Sequence, residues 1–554
     1  QINAILLGMP DFHRDGERPA GLYAPIFSDG TDIPGAGKSI NPQNYWARFV
    51  FSAVQRYKPG GTLSISRGWP SNVGVRVWEV WNEPDFEQFW GGSIADYARL
   101  LKVAYLAAHS ADAEAQVMFG GLLYATNTNW LEQVLRIYSQ DPLALAHNWF
   151  MDMVAIHSYS YPARTFWLVN WTEQTLKAFG LSRPVWVNES GVSVWDDYPG
   201  PVWASSPEQH TLQATTEQAA WYVIQNTVLG WAAGADVVFI HQLYDDCGNQ
   251  PAGTDFPPHQ GELCTGGALC FGDAFGLFRN PPDAACFSQH PFAGTPRPTA
   301  TAYRLLARVF GNVPFGNPQT DIIDGVAQLV TFDRPQTNER IYILWNRTFS
   351  PVSVAVRAGG SRASLYTLDD EVTITPDSEG FYKLDLAPAK PDSIPNLEAG
   401  DVSGIGGASV LLIERFNGPL TPLDEEATPP AQAATPDMVL TVTPGPIVPP
   451  RPTVDPALDS VPPVTSMAPL PATSPAVFDV LWHATDDSGI DRYLVWVRVD
   501  GGNWQPWLET QRTQAQYSGE VGHTYEFAVW AVDLAGNWST NTDLQPQAMT
   551  RVEQ

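Results

Sequence analysis

A chain of 554 residues is too long for one ordinary domain, and its composition, 44% hydrophobic and 16% charged, is that of a globular protein with a large core. A net charge of −28 argues against nucleic acid as a partner, and no apolar run is long enough to cross a membrane as a helix. The four cysteines, Cys247, Cys264, Cys270 and Cys286, fall in one window without the paired spacing of a zinc site. One or two disulfides pinning a loop, and therefore an oxidising, extracellular setting, are the expectation. The amino end shows no signal peptide and no Met, so a start removed from a longer chain is expected.

In chain order, Ile2 to Gly8 reads as a buried strand closed by Met9-Pro10. Asp11 to Ser39 is a Gly-, Pro- and Asp-rich loop. Asn41 is placed to cap a helix that begins at Pro42 and keeps an apolar face to Tyr57. Val75 to Trp81 is β-branched and aromatic, and it stops at Asn82-Glu83-Pro84 because proline offers no N–H to a sheet. Ser93 with Asp96 three residues on caps the next helix. Further strands are expected at Gln116–Tyr124, Met153–Tyr161, Pro184–Glu189 and Ala235–Tyr244. Helices alternate with them at Trp130–Tyr138, Thr172–Phe179, Glu217–Leu229 and Thr299–Phe310. Strands that are apolar on both faces and alternate with helices predict a parallel sheet covered by helices. No Gly-rich phosphate loop follows any of them, which leaves a nucleotide fold without support.

Past residue 312 the pattern changes to short alternating strands between turns, a β-sandwich over 313–415 attached directly to the α/β domain, 1–312. Residues 416–475 are rich in Pro, Thr and Ala and read as an extended tether that fixes no geometry elsewhere. Residues 476–554 read as a small β-sandwich, and its Trp482 and the Asp533 to Trp538 turn resemble fibronectin type III modules.

Asn82-Glu83-Pro84 alone reads as a strand end followed by a cap. A second carboxylate at a strand end changes that reading: Arg183 to Gly191 repeats the design, with Glu189 closing an apolar strand three strands after Glu83. With this interval, Trp81-Asn82-Glu83-Pro84 resembles the clan A glycoside hydrolases, (β/α)8 TIM barrels with the acid/base on the fourth strand and the nucleophile on the seventh. The likeness covers residues 1 to about 310. The Trp-Asn-Glu-Pro run continuing to Phe89-Trp90 and the Tyr97 helix looks most like family thirty-nine, with families five and fifty-one also fitting.

The resemblance implies a retaining glycosidase without cofactor or metal. Glu83 would be acid/base and Glu189 nucleophile, with Asn82 on the sugar 2-hydroxyl and His157 and Tyr159 orienting the nucleophile. His241 would stand where many members place a stacking Trp, and Trp90, Trp195 and Trp203 would offer sugar platforms from loops. It also implies a carbohydrate substrate, a secreted enzyme, and contact with a cell surface or polysaccharide through the terminal module. Since the first strand behaves as the family's third, the barrel lacks its first two βα units in this reading, leaving two unpaired strands. The alternative is a non-catalytic carbohydrate-binding or adhesion protein on a degenerate barrel, disfavoured by two intact carboxylates.

Overall fold

A computed structural model describes residues 2–124, 127–197, 213–245, 274–284, 292–311, 313–390, 404–418, 420, 461–486, 489–533, 537–539 and 545–553. All four cysteines and Trp203 lie outside these residues, and with them the expected disulfides. By internal contacts the chain forms two compact units. One comprises Gln1–His157, Leu168–Asn188 and Ile447–Gln554; the other comprises Ser158–Trp167 and Glu189–Pro446.

That sheet contains β1 (Asn3–Leu6), β2 (Val77–Asn82), β3 (Gln116–Leu122), β4 (Met153–Tyr159), β5 (Val185–Gly191) and β6 (Val237–Val238), in that order. Among the described residues it is open rather than closed into a barrel, with β1 and β6 at its margins. Exposed Ile5 in β1, Ile2 and Leu7 beside it, and Phe239 beside β6 are apolar side chains at those margins. The expected strand over Ala235–Tyr244 shrinks to two residues, because the chain turns off the ladder to bring His241 beside β5, where its N–H donates to Ser190 O at 2.7 Å.

In the first unit, α1 (Tyr45–Tyr57) packs on α2 (Ile94–Ala111), with the Trp46 indole donating to Leu100 O at 3.1 Å. The cap of α1 is Asn44, three residues later than expected: its side chain accepts from Ala47 N, while Asn41 accepts from Gln43 N in the turn before it. The capping box of α2 is formed as expected, Ser93 and Asp96 each accepting from the other's backbone. α3 spans Trp130–Tyr138. α4 spans Pro162–Ala178, starting ten residues earlier than the sequence pattern suggests, since Pro162 is well placed in a first helical turn.

The terminal β module starts earlier than expected. Val464–Met467 pairs with Val477–Thr485, which pairs with Gln514–Ser518. A five-stranded sheet (Thr473–Ser474, Ala548–Val552, Thr524–Asp533, Ile490–Val499, Gln505–Thr510 in spatial order) completes the module, and Trp482, Val495, Phe527 and Val529 fill its core. Residues 461–475 therefore belong to the module and not to a tether, since the expected loop residues before 476 complete a ladder. It is also not free of the domain that precedes it: the hydroxyls of Ser466 and Thr128 are hydrogen-bonded at 2.7 Å.

In the second unit, α5 (Thr216–Ala232) is capped by a Thr215/Gln218 box and packs on α6 (Pro298–Phe310). The strands that follow make a six-stranded antiparallel sheet and a two-stranded one. Its central strands Ala327–Arg334 and Glu339–Asn346 are buried on both faces. Val330, Phe332, Ile341 and Ile343 face α5 and α6, while Leu329, Tyr342 and Leu344 face the two-stranded sheet of Val352–Arg357 and Phe381–Leu386. Period-two alternation between two apolar layers is the physical reason for the direct attachment expected of this region. Gly316–Ile323 and Glu371–Ile374 are strands the sequence pattern did not reveal, the first too polar to alternate and the second, Glu-Val-Thr-Ile, too short to stand out.

Phe332 stands in a cluster of rings with Trp231, Phe310 and Phe315, centroids 5.3 to 6.3 Å away. Phe332→Ala is expected to lower unfolding free energy by about 3–5 kcal/mol, read by denaturant titration, because it opens a cavity where helices and sheet meet.

Candidate functional site

Glu83 leaves β2 at a forced turn. Trp81 and Glu83 have φ of 73° and 41°, left-handed values that a non-glycine residue adopts at a cost of about 1–3 kcal/mol. The turn buries the Glu83 carboxylate, where its Oε1 lies 2.7 Å from His157 Nδ1. Asn82 sits at the strand end, half-buried, with its Cα opposite Gly121.

His157 is fully buried on β4 and fits only because β3 carries a glycine beside it. A Cβ on Gly121 would stand 1.9 Å from His157 Nε2. The Gly121 N–H instead donates to Glu79 Oε1 at 2.8 Å. Glu79 is a residue sequence reasoning missed, although a glutamate four positions before Glu83 in an apolar strand was the available signal. It is fully buried, accepts from Asn3 Nδ2 at 2.9 Å and Asn188 Nδ2 at 2.6 Å, and lies 4.0 Å from His157 Nε2. Burial pushes its carboxyl above the usual range, against the pull of His157 and these donors. Asp85 is buried as well, accepting from Leu123 N at 3.1 Å and Tyr124 N at 2.6 Å. Burial, with Glu83 nearby adding to it, pushes Asp85 up to about 7.

A second pair stands in the other unit. The Tyr159 hydroxyl donates to Glu189 Oε2 at 2.6 Å. Behind Glu189, the Ser190 hydroxyl donates to Phe239 O at 2.6 Å and accepts from Asn226 Nδ2 at 2.9 Å. Thr165 bonds both Asn226 and Ser158, so α4 and α5 brace the ends of β4 and β5 through buried polar groups. His241 stands edge-on to Tyr159, ring centroids 5.9 Å apart, with Phe275 completing the group at 5.7 and 5.5 Å.

The two pairs share a strand. His157 and Tyr159 are two residues apart on β4, so their side chains leave the same face. Tyr159 donates to Glu189, and His157 stands against Glu83.

Trp90 is not a sugar platform. It is 3% exposed, packed edge-on against Trp81 and Tyr97, and its indole donates to Ser93 O at 3.3 Å, because the loop after Glu83 folds back onto the start of α2. Trp195 is half-buried beside Ala214, to whose carbonyl its backbone N–H donates at 3.0 Å.

The segment after Glu189 is clamped by charge. Arg297, 1% exposed, forms a two-pronged pair with Asp245 at 2.7 and 2.8 Å and reaches Asp197 at 2.7 Å, which also takes Arg279. Both acids follow the strand ends at β5 and β6, so this buried network determines where those loops leave the sheet.

No protein-family model matches this chain, and no curated protein does. Among solved structures, a monomeric β-xylosidase from Caulobacter crescentus CB15 aligns at 15% identity and TM-score 0.40, over 75% of this chain and 81% of that one. A glucosidase from Croceicoccus marinus aligns at 10% identity and TM-score 0.41, over 67% and 74%. A family 51 arabinofuranosidase from Xanthomonas axonopodis pv. citri aligns at 11% and 0.37, over 66% and 72%. Scores this low carry no functional argument, which rests instead on the geometry above.

Gly121→Ala is expected to displace His157 and lower kcat more than tenfold on any substrate the site turns over, with KM little changed, in steady-state kinetics. Asp85 keeps its proton to a higher pH folded than unfolded, so its contribution to stability falls as pH rises from its ordinary value of 3.8 to about 7. Carboxyl-carbon NMR is expected to give Asp85 a midpoint near 7, and Glu83→Gln to lower it by removing a neighbouring negative charge.

Proposed function

We infer that the chain is a retaining glycoside hydrolase with Glu83 as acid/base and Glu189 as nucleophile. The observation that carries this is that two strand-end carboxylates each have a different partner: Glu83 has His157 and Glu189 has Tyr159. A hydroxyl donated to Glu189 at 2.6 Å favours the ionised form and aims one oxygen, as a nucleophile requires. Glu83, buried beside an imidazole, is suited to exchange a proton with a bound group.

In the first step Glu189 attacks the anomeric carbon while Glu83 gives its proton to the leaving oxygen. The C–O bond to the leaving group breaks as the ester bond to Glu189 forms. In the second, Glu83 takes a proton from water, whose oxygen attacks the same carbon and releases Glu189, so the net change is hydrolysis with retention. General acid catalysis alone supplies about 10²–10⁴-fold, and the remainder falls to the covalent step and to polar groups at the strand ends. His157 orients the Glu83 carboxyl, with Glu79 behind it. Asn82 would meet the 2-hydroxyl and His241 the sugar, and an extracellular setting belongs to this reading.

Glu83→Gln and Glu189→Gln distinguish the roles. With an activated aryl glycoside, whose leaving group needs no proton, Glu83→Gln is expected to show a burst of aglycone followed by slow turnover that azide accelerates. Glu189→Gln is expected to lose the burst. Equal residual rates in both variants would refute the assignment, and no turnover by the wild type on any of a panel of aryl glycosides would favour a non-catalytic carbohydrate binder.

A further inference from the structure

Basic residues are scarce in this chain, 31 lysines and arginines against 59 acids. Four arginines nevertheless line one cleft of about 900 Å³ in the second unit: Arg308 from α6, Arg334 and Arg415 from strand ends, and Arg362 from the turn before the strand Ala363–Tyr366. Two carboxylates answer them, Glu339 beside Arg334 and Glu371 paired with Arg308. Among the described residues no carboxylate pairs with Arg362 or Arg415, and the second spends its Nε on Thr337 O at 3.1 Å.

Arg334 is an independent pointer to a ligand. Its side chain is only 7% exposed, yet the partner of its guanidinium among the described residues is Glu339 at 3.5 Å. Its Nε makes no hydrogen bond, and Glu339 is shared with the Thr337 hydroxyl at 2.8 Å. A buried arginine normally has its donors filled, because water no longer serves them and an uncompensated charge is costly. A ligand oxyanion entering the cleft would supply those acceptors in the forked geometry a guanidinium prefers. Ser361, Ser364 and Thr373 add hydroxyl donors to the walls, and Phe416 adds a ring.

We propose that this cleft binds an acidic saccharide, its uronate carboxylate or sulfate ester held by Arg334 and Arg362 and its sugar ring lying toward Phe416. The volume suits a molecule of several rings and exceeds the needs of an inorganic ion. Because the chain as a whole repels anions, this local reversal of sign makes binding selective for ligands that reach the cleft, and weaker at high salt. The site is independent of the catalytic reading and stands if that reading fails.

Isothermal titration of the full chain tests it with four probes: tetragalacturonate, a sulfated chondroitin tetrasaccharide, cellotetraose and inorganic sulfate. At least one acidic tetrasaccharide is expected to bind, at least tenfold more tightly than cellotetraose or sulfate, and to weaken several-fold when salt is raised from 50 to 300 mM. Arg362→Gln combined with Arg415→Gln, both at exposed positions, is expected to weaken binding at least tenfold with unchanged unfolding temperature. Arg334→Gln is expected to abolish it. Absence of binding by both acidic tetrasaccharides overturns the proposal, as does unchanged affinity in the double variant. Cellotetraose bound as tightly removes the role of charge, and sulfate bound as tightly reduces the cleft to a bare-ion site.

Discussion

One strand, β4, supplies the partners of both carboxylates, and the site depends on the regularity of its backbone. Side chains two positions apart on a strand share a face at a spacing determined by the pleat, about 6.6–6.8 Å along the strand. His157 and Tyr159 use that spacing, so Glu83 and Glu189 each receive a distinct partner without needing a loop to position it. The consequence is that one carboxylate meets an imidazole nitrogen and the other a phenolic hydroxyl.

The cost of this arrangement falls on the neighbours. A fully buried histidine needs space and compensation, and both come from adjacent strands. Gly121 on β3 leaves the space, since any Cβ there would overlap the ring. Glu79 on β2 faces the ring's other nitrogen at 4.0 Å and is itself held by three donors. The left-handed backbone at Trp81 and Glu83 is a further cost, offset by the packing of Trp81 against Trp46 and Trp90. Aromatic residues near the site thus act chiefly as a frame, as the burial of Trp90 makes plain.

Charge is distributed with the same economy. Three groups of arginines stand out on this acidic chain: Arg297 and Arg279 with Asp245 and Asp197, Arg340 with Asp333, and the arginine cleft along α6. The first two are satisfied and structural, each guanidinium meeting carboxylates in forked or near-forked geometry. The third is underfilled, and that contrast within one molecule is what marks it as a place for a ligand.

The order of parallel strands, the helices between them and the strand-end positions of Glu83 and Glu189 were legible in the sequence, because each depends on local periodicity and on proline or polar residues that end a run. The alternation of the central strands of the following β region was legible for the same reason, Val330 and Leu329 facing different apolar layers. What tertiary structure alone decided was every relation between distant positions. The division of His157 to Glu83 and Tyr159 to Glu189, the burial of Trp90, the role of Glu79 and the link of Ser466 to Thr128 all join residues that no short-range pattern connects. The polar strand Gly316–Ile323 forms by pairing with its neighbour and not by its own propensity. The arginine cleft was invisible for a like reason: its members are spread over more than a hundred residues, and only the sheet and helix that carry them bring their charges to one place.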